Sequence, residues 1–555
     1  MPRSTINGTA IDLDGKEMIL DADQDTTITV DTDDQIDIKI AGSDKLVISS
    51  TSHLSTTTAG TSNFVLGVNA GNSILDGGNY NVALGDEAGT AITTGDRNIA
   101  IGFEAGKSIS TGGENVAIGY QALATEDGNG LNIAIGSEAL ENLNAGADAY
   151  NVAVGHNAGK NVTTGTENTL IGGVSGDAIT TGIRNVAVGS YALSTNVAGD
   201  QSVAVGHGAL FSQNPSGNAD MNNVAVGHDA GNQITTGVKN TLVGSLAGDD
   251  LTIGENNVAI GYNALGSDDV GSRNVAIGWD ALASQNATSG SVNNFYNTAV
   301  GANSGEQITT GYYNTFVGAL AGDGTDDGIN NVAVGYLALS ANCGDGNTAL
   351  GIEALKVAAA GDGNTALGKN AGNALTYGSS NVFVGIDAGL TGSPGGQFTT
   401  QSNRLVLGDE NIVASHIQVD FTIASDQRDK TDFSPLDVGL DFVKALNPVT
   451  YKWDKRSKYI DKQDPSVDLD KVTSDGTHKE DWLDIGFKAQ EVEILEKALG
   501  HKIADKTNLT TNLSDDGKQY GIQYTKFVPI LVKAVQELST KNDALEARIK
   551  KLEAK

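Results

Sequence analysis

Six consecutive residues, Ser425-Asp426-Gln427-Arg428-Asp429-Lys430, place a hydroxyl, two carboxylates, a guanidinium and an amine in one short stretch. A serine hydroxyl needs a base before it attacks a carbonyl. A lysine serves as that base only where burial or neighbouring positive charge leaves its amine neutral. Other reactive side chains are sparse. His156, His207 and His228 each follow a corner glycine of a repeat, the last two in successive copies, so stacked imidazoles could reach one metal ion. Most equivalent positions carry other residues, including Phe103, Tyr120, Trp279 and Asp86, as an exposed or seam position would tolerate, and no metal is expected. The carboxylates Asp21, Asp23, Asp25, Asp31, Asp33 and Asp34 match no calcium-loop spacing and read as solvated turns. Cys343 is the single cysteine, which rules out an intrachain disulfide framework and reads as a packing residue. No GxxxxGK followed by Ser or Thr occurs, so the many glycines are corners rather than a phosphate cradle, and no cofactor is expected.

The elements that must position these residues are dominated by one motif. N-x-A-x-G, or a near variant such as NTLIG, recurs with its glycines at 102, 119 and 136, then 155, 172, 189 and 206, then 227, 244, 261 and 278. Between Gly67 and Gly408 there are twenty such glycines, most of them 17 residues apart. Each follows a short strand such as NVAVG (151–155), and a second short strand with TTG is expected to close many coils. With 71 glycines and only 5% aromatic residues, the chain suits stacked coils with tight corners better than a conventional core. The expected fold is mainly β: an elongated β-roll or β-solenoid of about 17-residue coils, with a small β domain before it and an α+β domain after it. In NVAVG, Val152 and Val154 face one way and Ala153 the other, so neither face is polar. One face should be buried inside the coil and the other against another chain.

The rhythm stretches to 19 residues between Gly136 and Gly155, 21 between Gly206 and Gly227, and 23 between Gly278 and Gly301. The inserted residues are 141–150, 211–222 and 283–296, with a further insertion at 392–402. Loops on a rigid scaffold commonly carry binding, and Tyr150, Phe211, Phe295 and Tyr296 are rings in an otherwise aromatic-poor region. They are candidate receptor contacts; covering neighbouring coils or subunit seams is the alternative. Before the repeat, residues 1–60 alternate apolar and polar positions in MILDA, TTITV, IDIKI and KLVIS and read as β structure. At the other end, Leu531, Val535, Leu538, Asn542, Leu545, Ile549 and Leu552 fall at alternating steps of four and three. This is a coiled-coil pattern, with Asn542 at a core position that would fix register. The domains are therefore read as 1–60, 61–410, a connector 411–424, 425–525, and a helix and coiled coil 526–555.

Two resemblances give these regions meaning. The NxAxG repeat resembles the head repeat of trimeric bacterial adhesins of the YadA type, in which three β-rolls pack around one axis. From SDQRDK onward, ALNPVTYKW (445–453), IGFKAQEVE (485–493), YGIQYTKFVPILVKAVQEL (520–538) and the coiled coil together resemble the intramolecular chaperone autoprocessing domain of phage tail fibres and tailspikes. That resemblance implies a homotrimer whose C-terminal domain assists assembly and then cuts itself at its start, a single-turnover serine peptidase. It implies Ser425 as nucleophile and Lys430 as general base, with Asp426 and Arg428 organising the site.

Composition narrows what remains. A net charge of −33 opposes binding to nucleic acid or anionic lipid, no run of 18 apolar residues occurs, and the start has no secretory-signal pattern. Synthesis in the host cytoplasm without membrane insertion is expected. The leading reading is a phage tail fibre in the virion tail. Its N-terminal region would meet a tail or baseplate protein, and its loops a host polysaccharide or protein receptor. The alternative is a tailspike that depolymerises host polysaccharide, although no inserted catalytic domain interrupts the repeat. Membrane-anchored transcription factors with a related self-cleaving domain are disfavoured by the absent apolar span and the acidic charge.

Overall fold

A computed structural model describes residues 18–20, 27–30, 36–40, 43–48, 54–55, 58–286, 293–418, 421, 423–462 and 467–555. The chain forms two compact units, Met1–Tyr312 and Tyr313–Lys555. The first begins with a sheet whose strands Met18–Ile19, Thr27–Val30, Ile36–Ile40, Ser43–Ile48 and Leu54–Ser55 pair antiparallel in sequence order. The acidic turns at Asp21 to Asp34 lie outside the described residues.

From Phe64–Leu66 to Thr298–Val300 the first unit is a β-solenoid, in which each three-residue strand pairs in parallel with the next. Val152, Ala153 and Val154 lie beside Thr169, Leu170 and Ile171, and these in turn beside Val186, Ala187 and Val188. From Val82–Leu84 onward the central residue of each three-residue strand points inward and is fully buried, whereas its neighbours are mostly half-exposed. Ala suits this position because the coil is thin. Side chains such as Ile92, Ile109 and Val162 fill the space inside it.

A file of buried asparagines holds the coils together. Asn168 donates its backbone N–H to Asn151 Oδ1 (2.9 Å) and its Nδ2 to the carbonyl of Gly182 (2.9 Å), while its own Oδ1 accepts from Asn185 N (3.0 Å). One side chain thus satisfies groups in the coils before and after it, as buried backbone polar groups require. The file is interrupted at Ser202, whose hydroxyl lies 3.1 Å from Gln213 Nε2; Gln213 Oε1 accepts from Asn223 Nδ2 (2.9 Å). An insertion has supplied the amide that the repeat lacks there.

The expected second strand at TTG is not formed. Residues 163–165 bend, and the Gly165 carbonyl accepts from Asn151 Nδ2 at 2.9 Å, so the asparagine takes an acceptor that a strand would have used. Corners of the opposite hand are frequent. The residue before the motif asparagine has positive φ whether it is Arg97, Tyr150 or Glu167, so the coil geometry overrides the usual penalty for a side chain there.

The second unit contains solenoid strands from Thr315–Val317 to Leu405–Leu407, followed by an α+β region. Its helices are α1 (Leu440–Ala445), α2 (Ala489–Ala498) and α3 (Phe527–Glu553). Val449–Tyr451 pairs antiparallel with Asp484–Gly486, and Thr511–Leu513 with Tyr520–Ile522. Val438, Phe442, Val492, Phe527 and Ile530 form the core that joins the three helices. Pro529 sits in the first turn of α3, where its missing N–H has no helical partner to lose. The coiled-coil positions Leu531, Val535, Leu538, Leu545, Ile549 and Leu552 lie on the exposed side of α3. Among the described residues no helix is long and apolar enough to cross a membrane.

Candidate functional site

A short capped turn sets the geometry of SDQRDK. Asp426 is extended (φ −64°, ψ 133°), and its carboxylate accepts from Arg428 N at 2.8 Å, capping the 3-10 turn Gln427–Asp429. Lys430 N closes the turn on Gln427 O at 3.2 Å. The chain is thereby folded back so that Lys430 Nζ lies 2.5 Å from Ser425 Oγ and 3.4 Å from the Ser425 carbonyl oxygen. Arg428 Nη2 lies 2.6 Å from Asp426 Oδ2. Its guanidinium, followed by its backbone N–H, holds the Asp426 carboxyl below the usual carboxylate range, while Asp426 raises Arg428. With Asp426 engaged by Arg428, the lysine amine faces the hydroxyl rather than an acid.

This pair has the contact needed for proton transfer from the hydroxyl to the amine, once the amine is neutral. Every residue from Ile423 to Ser434 is exposed in the single chain, so the chain alone provides no desolvation at Lys430.

The domain behind the turn is pinned by a residue that the sequence did not single out. Glu496, fully buried on α2, accepts from Thr510 N (2.7 Å), Thr510 Oγ1 (2.6 Å), Thr511 Oγ1 (2.6 Å), Thr511 N (3.2 Å) and Leu509 N (3.2 Å). Burial raises its pKa, but the bonds from Thr510 and Thr511 outweigh that effect and leave the carboxyl below its ordinary range. Its stabilising contribution is therefore complete above the unfolded pKa of about 4.3 and is lost as pH falls through the lower folded value. Glu496→Gln should cost about 2–3 kcal/mol at pH 7, because an amide hydrogen would confront donors. Thermal melts should show the gap between wild type and variant narrowing below pH 4; equal melting at pH 7 would refute this role.

The aromatic candidates are dispersed. Tyr150 is 57% exposed and Tyr296 47%, with Arg273 lying 5.6 Å over the Tyr296 ring. Phe211 is half-buried, edge-on to Tyr191 at 6.4 Å. Phe295 is only 7% exposed and packs with Val270 and Ile253, so its ring serves the solenoid interior and is not presented at the surface. The rings of His207 and His228 stack at 5.3 Å, and Asp229 lies 3.1 Å from His228 and 3.8 Å from His207. His156 does not join them. Cys343 is buried beside Thr325 Oγ1 (3.4 Å), and burial pushes its thiol up to about 11.

Residues 425–500 match the family described as chaperone of endosialidase. No curated protein and no solved structure matches the chain. The match begins at Ser425, the residue whose hydroxyl faces Lys430. The chain thus carries an endosialidase-type chaperone domain behind a β-solenoid.

Proposed function

We propose that the chain is one subunit of a trimeric phage tail fibre whose C-terminal chaperone domain assembles three chains and then cuts itself beside Ser425. The observation that carries this reading is the 2.5 Å contact between Lys430 Nζ and Ser425 Oγ at the first residue of the matched domain. The neutral Lys430 amine takes the hydroxyl proton as Ser425 Oγ attacks an adjacent peptide carbonyl. The proton passes to the leaving amine, and water then hydrolyses the ester. Because the site is exposed in one chain, a partner chain must cover the lysine to neutralise it, and cleavage then reports correct assembly.

Two apolar surfaces support association. α3 presents Leu531 through Leu552, and the solenoid strands present outward residues such as Val226, Ile260, Val332 and Leu367. Three chains would bury both. Residues 1–60 serve as the virion attachment region, and the loop residues Tyr150, Phe211 and Tyr296 contact the host receptor.

Native mass spectrometry of the expressed chain tests assembly, with three shaft chains per particle expected; a stable monomer with an intact solenoid would reject it. In the same particles, Tyr150→Asn and Tyr296→Asn keep a residue tolerant of positive φ while removing the ring. Adsorption to host cells should fall severalfold with the melting temperature unchanged. Undiminished adsorption would assign those rings to the scaffold. Release of reducing sugar from host polysaccharide would favour a depolymerising tailspike.

A further inference from the structure

Within the unit Tyr313–Lys555, a set of contacts joins residues before the proposed cut to residues after it. Lys462 reaches back to three carboxylates at the end of the solenoid: Glu410 Oε1 at 2.6 Å, Asp409 Oδ2 at 2.8 Å and Asp387 Oδ2 at 3.5 Å. Its side chain is only 13% exposed. Lys455 Nζ donates to the Glu410 carbonyl at 2.5 Å. Arg404 pairs with Asp515 at 3.0 Å, and Gln397 N donates to Asp516 Oδ2 at 3.1 Å.

The inserted residues 392–402 are shaped for this contact. At Gly392 (φ +100°) an added Cβ would lie 2.4 Å from Ser457 Cβ, and at Gly396 (φ +86°) one would lie 2.5 Å from Asp516 Oδ1. Glycine allows both the backbone conformation and the close approach. Between the two sides of the clasp, the described residues of 411–424 are exposed and form no helix or strand.

We propose that this surface is a docking site for the chain's own C-terminal piece, so that after cleavage beside Ser425 the piece stays seated on the solenoid. The proposal rests on the cleavage reading for its biological setting, but the contact exists with or without a cut. The charges are set to persist at neutral pH. Burial opposes the ionised form of both Lys462 and Asp409, yet their mutual pairing, with Glu410 on Lys462 and Asn411 on Asp409, keeps Lys462 above its ordinary range and Asp409 below its own. Shielded pairs of this kind are also less screened by salt than exposed ones.

The test uses the full chain in the Ser425→Ala background, with a Gly-Ser-flanked site for a specific protease inserted between residues 415 and 416. A denaturing gel verifies cutting, and size-exclusion chromatography in 0.15 M NaCl shows whether the C-terminal piece elutes with the solenoid. Co-elution is expected. Lys462→Glu should lower the retained fraction at least tenfold, and Lys462→Gln and Arg404→Ala, milder changes to the fold, should lower it severalfold. Release of the piece from the chain without these changes would overturn the proposal, as would full retention in all three variants. Whether native Ser425 cuts is read separately on the uninserted chain, so the two ideas fail independently.

Discussion

Ser425→Ala will keep the chain at full length through purification and long incubation, whereas the wild-type chain will yield a C-terminal piece of 130 or 131 residues, according to the bond cut. Removing the hydroxyl removes the only atom at the turn that can form the acyl ester. Lys430→Ala should slow cutting by about 10²–10⁴-fold, the range typical for loss of a positioned general base. Lys430→Arg is the sharper probe: a guanidinium can still donate to Ser425 Oγ but cannot deprotonate to become a base. If Lys430 only holds the turn, Arg should restore cutting. If it is the base, Arg should be as slow as Ala. Trimers should form in all three variants, since none of them alters the domain core around Phe442, Val492 and Phe527 or the exposed apolar face of α3. Wild-type trimers that stay uncut in the absence of other proteases would show the site to be inert.

Gly244→Ala should be among the most damaging single changes in the first unit. Its φ is +142°, and a Cβ would sit 2.2 Å from the Gly261 carbonyl oxygen and 2.6 Å from its carbon. Both neighbours are backbone atoms fixed by the ladder, in which Gly244 N donates to Val226 O and Gly261 N to Val243 O, each at 2.8 Å. No rotamer change relieves the clash, so the coils must separate. A cost above about 4 kcal/mol is expected, at the extreme of single substitutions. Gly146→Ala is the control: φ is +72°, but nothing lies within 4 Å of the added Cβ, leaving only a left-handed penalty of about 1–2 kcal/mol. Thermal unfolding and limited proteolysis should separate the two clearly. Equal melting temperatures would show that the corner glycines serve flexibility rather than close approach.

The parts of this architecture visible in the sequence are those that depend on local repetition. The N-x-A-x-G period gave the coils, and alternation in IDIKI gave the entry sheet, because each expresses a backbone geometry repeated along the chain. The five-residue offset of Ser425 and Lys430 could be noticed, but the turn that closes it depends on the Asp426 cap and on Arg428. What remained hidden depends on partners distant in the chain. Asn168 is one more letter of the motif until Gly182 is beside it. Phe295 reads as a surface ring until Val270 covers it. The insertion at 392–402 reads as one more loop, and only the position of Ser457 and Asp516 shows why two of its glycines sit where they do. TTG reads as a second short strand until the asparagine file claims the acceptor a strand would need.

The asparagine file has a consequence for how such a protein can change over time. Asn151, Asn168 and Asn185 make the same two bonds, each to the same groups 17 and 14 residues away, so one coil meets the next through an interface that does not depend on which coil it is. A gene rearrangement that drops or duplicates one whole period in this stretch rejoins matching halves of that interface. A change of another length must be absorbed in a loop that leaves the file in register, as in the longer coil where Asn151 N still donates to Asn132 Oδ1 at 3.1 Å. Solenoid length is therefore inherited in whole coils, and lineages can lengthen or shorten it in discrete steps without solving a new folding problem at each one.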